Sequence, residues 1–255
     1  KLIAASSMSI YGEGAYECKD CGAVYPKLRS EVQLKSRLWE MKCPACGKEA
    51  KPISTKEDKP LHPTSVYAIS KRDQEELCLV VGRAYGLPTV ALRFFNVYGP
   101  RQSLSNPYTG VAAIFSSRIK NNNPPLIFED GLQSRDFVSV RDIVEANLLA
   151  MKNSNANYKS LNVGTGKPAT VLDIANTLAK LYGKELKPEI VNKYRSGDIR
   201  HCYSDITEIR KLGFEPKVGL EDGLAELVNW GKTEEAVDKT EDAQKELIEK
   251  GLVEK

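Results

Sequence analysis

Apolar and polar positions change period several times along the 255-residue chain, and each change marks an element. Leu2-Ile3-Ala4-Ala5 is a short apolar run that passes directly into Ser6 and Ser7, as expected of a buried strand ending in hydroxyl residues. Thr89-Val90-Ala91-Leu92-Arg93-Phe94-Phe95-Asn96 reads as the next strand and runs into the turn Tyr98-Gly99-Pro100-Arg101. Leu126-Ile127-Phe128 is a shorter strand closed by Asp130-Gly131. Between these runs the period lengthens. Thr64 or Ser65 caps a helix predicted to reach Tyr85, where Gly86 and Pro88 stop it. A second helix is expected from about Val111 to Lys120, broken by Asn121 to Pro125. A third starts near Val140, with Ile143, Val144, Ala146, Leu148 and Leu149 as its apolar positions, and a fourth carries Val171, Leu172, Ile174, Ala175 and Leu178. From Lys232 the chain is highly charged, with Glu235→Lys239, Glu241→Lys245 and Glu246→Lys250 at helix-supporting spacing. Its thin stripe of Val237, Leu247 and Ile248 predicts a solvated helix docked weakly on the body. Alternating helices and strands predict α/β layering around a largely parallel sheet.

Composition adds bounds rather than a function. Hydrophobic content of 41% and charged content of 28% are ordinary for a globular chain long enough to bury a large core. A net charge of +3 is too small to argue for nucleic acid or an anionic membrane, and no apolar run approaches 18 residues. Six cysteines, mostly in paired spacing, favour a reducing compartment, read here as the cytoplasm.

Four of those cysteines form two knuckles, Cys18-Lys-Asp-Cys21-Gly22 and Cys43-Pro-Ala-Cys46-Gly47. Two residues between cysteines let both thiolates face one ion, and the following glycine lets the backbone turn beneath them. The pattern is that of a zinc ribbon, with two disulfides or four unrelated thiols as the competing readings. Four thiolates close a tetrahedron, so the zinc would be structural. Cys78 and Cys202 stand alone, Cys78 on an apolar helical face. The ribbon occupies residues 13–59, where it either covers a pocket or is a tolerated loop stapled by metal.

Tyr67-Ala-Ile-Ser-Lys71 places a phenol and an ammonium one helical turn apart, on one face. A nearby cation favours the phenolate, and such a tyrosine can take a proton from an alcohol while a nicotinamide accepts the hydride. The pair alone is common; its neighbours make it informative. Ser6 to Gly12, Ser65 to Lys71, Arg93 to Arg101, Ser134 to Val138, Asn162 to Gly166 and Arg195 to Asp198 occur in one order. That succession resembles the extended short-chain dehydrogenases acting on nucleotide sugars, the NAD-dependent epimerase/dehydratase family. Outside the ribbon the resemblance runs from residue 1 to about Trp230, and a ribbon at this place is similar to one in some dTDP-L-rhamnose 4-epimerases.

The resemblance implies the C-terminal part of a Rossmann-like α/β fold. Residues 1–12 and 60–98 would form the partial dinucleotide domain, 99–135 a substrate-binding segment, 136–165 a return to the first domain, 166–230 the substrate domain, and 231–255 a charged helix. Such enzymes begin with a strand, a glycine-rich turn and a helix that holds the cofactor pyrophosphate. This chain begins at Lys1 on what would be a later strand, which leads us to expect a fragment. Gly164-Thr165-Gly166-Lys167-Pro168-Ala169 imitates the fingerprint but follows the catalytic pair, and Pro168 lacks an N–H, so a tight strand-to-helix turn is expected.

The resemblance further implies Ser7, Tyr67 and Lys71 as catalytic residues, with Ser9 as a helper, and Ser6, Tyr67, Lys71 and Phe94 at NAD. Ser7, Asn96, Arg135, Arg195 and Asp198 would hold the nucleotide sugar, the two arginines on its pyrophosphate. Family dehydratases carry Thr-Asp-Glu where this chain has Ser7-Met8-Ser9, so 4,6-dehydration is not expected. A C4 epimerase, using and regenerating bound NAD+ through a 4-keto sugar, is the implied activity. The competing readings are a reductase or decarboxylase of the same family, and a non-catalytic ribbon protein on an inert dehydrogenase-like body. Pairing of two copies through the Tyr67 helix is the implied assembly. His62 and His201 show no ligand or triad spacing.

Overall fold

The structure, a computed structural model, describes residues 1–254. Strand β1 (Leu2–Ser7) leads through a 3-10 turn over Met8–Tyr11 into three short strands, β2 (Ala15–Cys18), β3 (Gly22–Val24) and β4 (Lys51–Ile53). Helix α1 (Glu31–Lys35) lies between β3 and β4. Helix α2 (Val66–Ala84), strands β5 (Thr89–Phe94) and β6 (Asn96–Tyr98), helix α3 (Val111–Lys120), and strands β7 (Leu126–Ile127) and β8 (Ser134–Ser139) follow. Then come α4 (Val140–Lys152), β9 (Ser160–Val163), β10 (Pro168–Thr170), α5 (Val171–Leu181), β11 (Glu189–Ile190) and β12 (His201–Cys202). The chain closes with α6 (Thr207–Arg210), α7 (Leu220–Gly231) and α8 (Thr240–Glu249).

The central sheet is parallel, in the order β1-β5-β9, with Leu2 opposite Thr89 and Ser7 opposite Phe94. A second sheet runs β10-β8-β12, with β6 also on β8; β8 is parallel to β6 and β12 and antiparallel to β10. The single strand expected over 89–96 is therefore two. Phe95 N–H bonds the Val163 carbonyl, and at Asn96 the chain crosses from the first sheet to the second. Ser7, Phe94 and Asn96 consequently meet where the sheets diverge, the kind of crevice in which α/β folds bind ligands.

One core lies under the central sheet, built from Val90, Leu92, Val138, Ile143, Leu161, Val163 and Ile209. Another joins α3, α5 and α7 through Phe115, Ile119, Ile174, Leu178, Leu224 and Leu227. Burying each such side chain stabilises the fold by about 1.5–3 kcal/mol. Ser65, not Thr64, caps α2, its Oγ accepting from Ala68 N at 3.1 Å. A Cβ on Gly82 would stand 2.3 Å from Thr89 Oγ1, so only glycine lets α2 lie this close to β5. Thr170 and Asp173 close a capping box at α5.

The tail departs from expectation. Helix α7 ends at Gly231, residues 232–239 are not helical, and Glu235→Lys239 has no helix beneath it. Helix α8 is anchored rather than loosely docked: Ala243 is buried, Tyr108 Oη donates to Glu246 at 2.7 Å, and Asn123 holds Asp238 at 2.7 Å. The ribbon strands pair as β3-β2-β4 around a small core of Tyr16, Cys18, Val24, Met41, Cys43 and Ala50. Gly12 has φ +67°, and a Cβ there would sit 2.3 Å from the His62 carbonyl, so the chain leaves for the ribbon and returns from it at nearly one point. No described helix is long and apolar enough to cross a membrane.

Candidate active site

A cleft opens above the C-terminal ends of β1 and β5. Ser7 ends β1 in extended geometry and caps the 3-10 turn, its Oγ accepting from Ser9 N at 3.2 Å and from Ser9 Oγ at 2.9 Å. With those acceptor positions filled, the Ser7 proton is free to be donated into the cleft. Tyr67, in the first turn of α2, is exposed, and Lys71 follows one turn later with its Nζ 5.9 Å from the Tyr67 ring centroid. Lys71 Nζ is tethered to the Ala5 carbonyl at 2.8 Å and to Gln74 at 3.1 Å. Ser7, Ser9, Tyr67, Lys71, Phe94 and Asn96 all line this compartment.

Ser6 lines the same compartment. Its side chain is buried and its hydroxyl donates to Glu75 Oε2 rather than toward a cofactor. Glu75, on the inward face of α2, also accepts from Arg93 Nη2 at 2.6 Å and Ser160 Oγ at 2.8 Å. Arg93 in turn donates to Tyr11 Oη, which donates to Asn162 Oδ1, both at 2.7 Å. This buried lattice ties the helix carrying Tyr67 and Lys71 to β1, β5 and β9. Sequence reasoning missed it; the available signal was a glutamate on the buried face of an otherwise amphipathic helix.

A second compartment continues from the first through Asn96, Thr109 and Val111, which line both. Its wall includes Phe128, Gln133, Arg135, Arg195 and Asp198, so every expected substrate-side residue is brought to one cleft. Arg195 stacks its guanidinium 5.5 Å from the Phe128 ring centroid. Asn96 Oδ1 and Gln133 Oε1 are buried with no hydrogen-bond partner among the described residues, which is what a site built for a polar ligand presents. Arg135 departs from its expected role. Its Nη1 donates to the carbonyls of Ser134 (2.8 Å) and Arg200 (2.9 Å), and its Nη2 to that of Ile199 (2.7 Å). Its fork secures the main chain, leaving Arg195 as the less committed guanidinium.

The Gly164–Lys167 turn cannot serve as a phosphate cradle. Thr165 N and Gly166 N donate to the fully buried Asp136 carboxylate at 2.8 and 2.9 Å. Tyr67, Lys71 and Phe94 line the first compartment together, and among the described residues no glycine-rich turn offers free N–H groups beside them. In the ribbon, all four Sγ atoms of Cys18, Cys21, Cys43 and Cys46 lie within 4.8 Å of one another, and every cysteine is a free thiol. A tetrahedron of thiolates on zinc has edges of about 3.8 Å, so the cluster fits such an ion. No residue of 13–59 lines either compartment, and Arg29 reaches the main chain of Asp198 at its edge.

Known proteins share this fold. The family described as the NAD dependent epimerase/dehydratase family matches residues 42–164. The dTDP-L-rhamnose 4-epimerase of Burkholderia thailandensis is 35% identical over 230 residues, covering 90% of this chain and 62% of the relative. Among solved structures, UDP-N-acetylglucosamine 4-epimerase from Methanobrevibacter ruminantium, in complex with UDP-N-acetylmuramic acid, superposes with a TM-score of 0.69 at 30% identity, covering 89% of this chain and 61% of that one. UDP-glucuronic acid 4-epimerase from Bacillus cereus, in complex with UDP-glucuronic acid and NAD, gives a TM-score of 0.68 at 27% identity, covering 90% and 60%. The chain thus spans about three-fifths of the length of the relatives it matches. Its Rossmann-like α/β layering is shared with these structures, and residues 42–164 are a stretch of the NAD-dependent epimerase/dehydratase family.

Proposed function

We propose that the protein contributes the catalytic and substrate half of an NAD-dependent nucleotide-sugar 4-epimerase acting on a UDP- or dTDP-hexose. The observation that carries this reading is the single cleft in which Ser7, Tyr67 and Lys71 face one end while Arg195, Asp198 and the orphaned Asn96 Oδ1 face the other. NAD, when bound, supplies a reversible hydride acceptor. Tyr67 takes the proton from the sugar C4 hydroxyl, and Ser7, oriented by Ser9, donates a hydrogen bond to the same oxygen. Lys71 sets its ammonium beside the phenol and would hold the cofactor ribose, and Phe94 would hold the nicotinamide end. Arg195 meets the pyrophosphate of the nucleotide sugar, Asp198 accepts from its ribose hydroxyls, and Asn96 accepts from the sugar end. Because Ser7-Met8-Ser9 holds no acid, water is not expelled and the sugar keeps all its oxygens.

The domain division given above, with the ribbon as a zinc-stapled insertion, is part of the same proposal. So is a cytoplasmic location. Val66, Leu77 and Val80 on α2 and Tyr85 just after it, with Val144, Leu148 and Met151 on α4, form exposed apolar faces that suit pairing of two copies. Incubation of the full-length enzyme with UDP- and dTDP-hexoses, followed by product stereochemistry, tests the activity. Inversion at C4 alone supports it; a reduced or decarboxylated product replaces it with the alternatives.

A further inference from the structure

The ribbon meets the body through a charged seam, beside an apolar contact of Leu34 and Trp39 with Tyr194. Arg29, in the loop before α1, is buried, and its guanidinium forks onto Glu129 at 2.7 and 2.8 Å. The same guanidinium donates to the main-chain carbonyl of Asp198 at 3.1 Å. Glu40, shortly before Cys43, accepts from Arg200 Nε at 3.0 Å and from His201 Nε2 at 3.2 Å. Arg200 is fully buried and also reaches Glu129 at 3.0 Å and Asp130 at 2.7 Å. Ser134 N–H donates to His201 Nδ1 at 3.2 Å, so the imidazole proton stands on Nε2 and faces Glu40. Glu13, at the start of the ribbon, accepts the main-chain N–H groups of Arg200 and His201 at 2.7 and 2.8 Å.

Segment 198–201 is thereby gripped from one side by Glu13, Arg29 and Glu40, and from the other by Arg135 on the carbonyls of Ile199 and Arg200. It carries Asp198 and continues from Arg195. Bidentate arginine–carboxylate pairs fix direction as well as distance, and taking away one partner strands the rest without water. Arg29 and Glu40 owe their own positions to a domain with two small apolar clusters, one of six residues that include Cys18 and Cys43 and one in which Leu34 and Trp39 pack on Tyr194, so a metal would stand in for the missing apolar mass.

We propose that the metal-bound ribbon is a positioning device for the nucleotide half of the cleft. The ion fixes Arg29 and Glu40, and these with Glu13 fix Asp198. Neither Arg29 nor Glu40 lines the Tyr67 compartment or touches the Glu75–Arg93 lattice, so the device acts on binding and leaves proton transfer alone. The ligand named here rests on the nucleotide-sugar reading above; the mechanical part does not.

The test uses the full-length protein, metal-loaded and chelator-stripped, together with Arg29→Met, Arg29→Lys and Glu40→Gln. Amide exchange is followed at 198–201, UDP and dTDP binding by calorimetry, and turnover by steady-state kinetics. Stripping the metal, or Arg29→Met, is expected to speed exchange at Arg200 and His201, raising KM and the nucleotide Kd about tenfold while kcat stays within about twofold. Exchange in α5 is expected to stay unchanged, which separates a local loosening from general unfolding. Arg29→Lys, with one cation but no fork, should recover part of the loss, and Glu40→Gln should show a smaller version of it. Unchanged exchange at 198–201 without metal overturns the proposal, as does a loss that falls on kcat with KM intact. Wild-type protein that binds neither nucleotide refutes the nucleotide-sugar reading instead, and the exchange measurement still decides the role of the ribbon.

Discussion

Replacing Glu75 by glutamine should cost the protein far more than its near-identical shape implies. The Glu75 and Arg93 side chains are 4% and 6% exposed, and they form an ion pair at 2.6 Å. Burial pushes the Glu75 carboxyl up, and the hydrogen bond and charge of Arg93 outweigh it, holding the group below its ordinary value. Glu75 accepts from Arg93, Ser6 and Ser160 together, four lone-pair directions meeting only donors. In glutamine one of those oxygens becomes an NH2 group, which turns a donor toward donors. Arg93 keeps Tyr11 Oη and the Glu57 carbonyl but loses the carboxylate with which it is directly paired. Breaking a buried pair in this way costs about 3–5 kcal/mol. Equilibrium denaturation of the full-length protein reads it as a fall in the midpoint at unchanged slope. Arg93→Met should cost a similar amount, and the double variant less than the sum by about 2 kcal/mol. A loss below about 1 kcal/mol for Glu75→Gln would place the pair with exposed ion pairs and refute the buried lattice as the anchor of α2.

Three further outcomes are expected. Arg195→Met should weaken UDP and dTDP binding at least about tenfold, since a charge-assisted hydrogen bond contributes about 1.5–3 kcal/mol; an unchanged calorimetric Kd removes that assignment. Cys43→Ser should abolish stoichiometric zinc by metal analysis, whereas a variant that still holds one ion per chain contradicts the four-thiolate site. The Glu40 carboxyl is pulled down to about 2, by the His201 hydrogen bond first and then by the hydrogen bond and charge of Arg200. A depressed carboxyl gives stability that is present above its unfolded pKa near 4.5 and lost as pH falls toward 2, so Glu40→Gln should flatten the acid limb of the unfolding profile. Parallel acid limbs for the two proteins would show that Glu40 carries none of it.

Helices with strong punctuation were legible in the sequence, and elements held by distant partners were not. Ser65 and Gly86 bracket α2, and Thr170 with Asp173 starts α5, because caps are local chemistry. Strand β12 is two residues long and exists only because β8 lies beside it, which no local pattern encodes. In the tail, i,i+4 charge pairs pointed to one helix, but the intervening stretch is held instead by Asp238 on Asn123 and Arg118. At the site, Ser7, Tyr67, Lys71, Asn96, Arg195 and Asp198 were reachable through ordered motifs and do share a cleft. Ser6 and Arg135 sit in the right segments, but their polar atoms are spent on Glu75 and on carbonyls. The charged seam of Arg29, Glu40, Glu129 and Arg200 joins residues far apart in the chain, and charge alone gives such pairs no sequence signature.

The most direct test follows a deuterium placed on C4 of a UDP- or dTDP-hexose, with the full-length enzyme in unlabelled water. Proton removal from the C4 oxygen by Tyr67, with hydride leaving and returning at C4, predicts an inverted product that keeps its deuterium. Tyr67→Phe should slow that conversion by about 10²–10⁴ while nucleotide-sugar binding is retained. Loss of the label to water, or inversion at full rate without the Tyr67 hydroxyl, would contradict it.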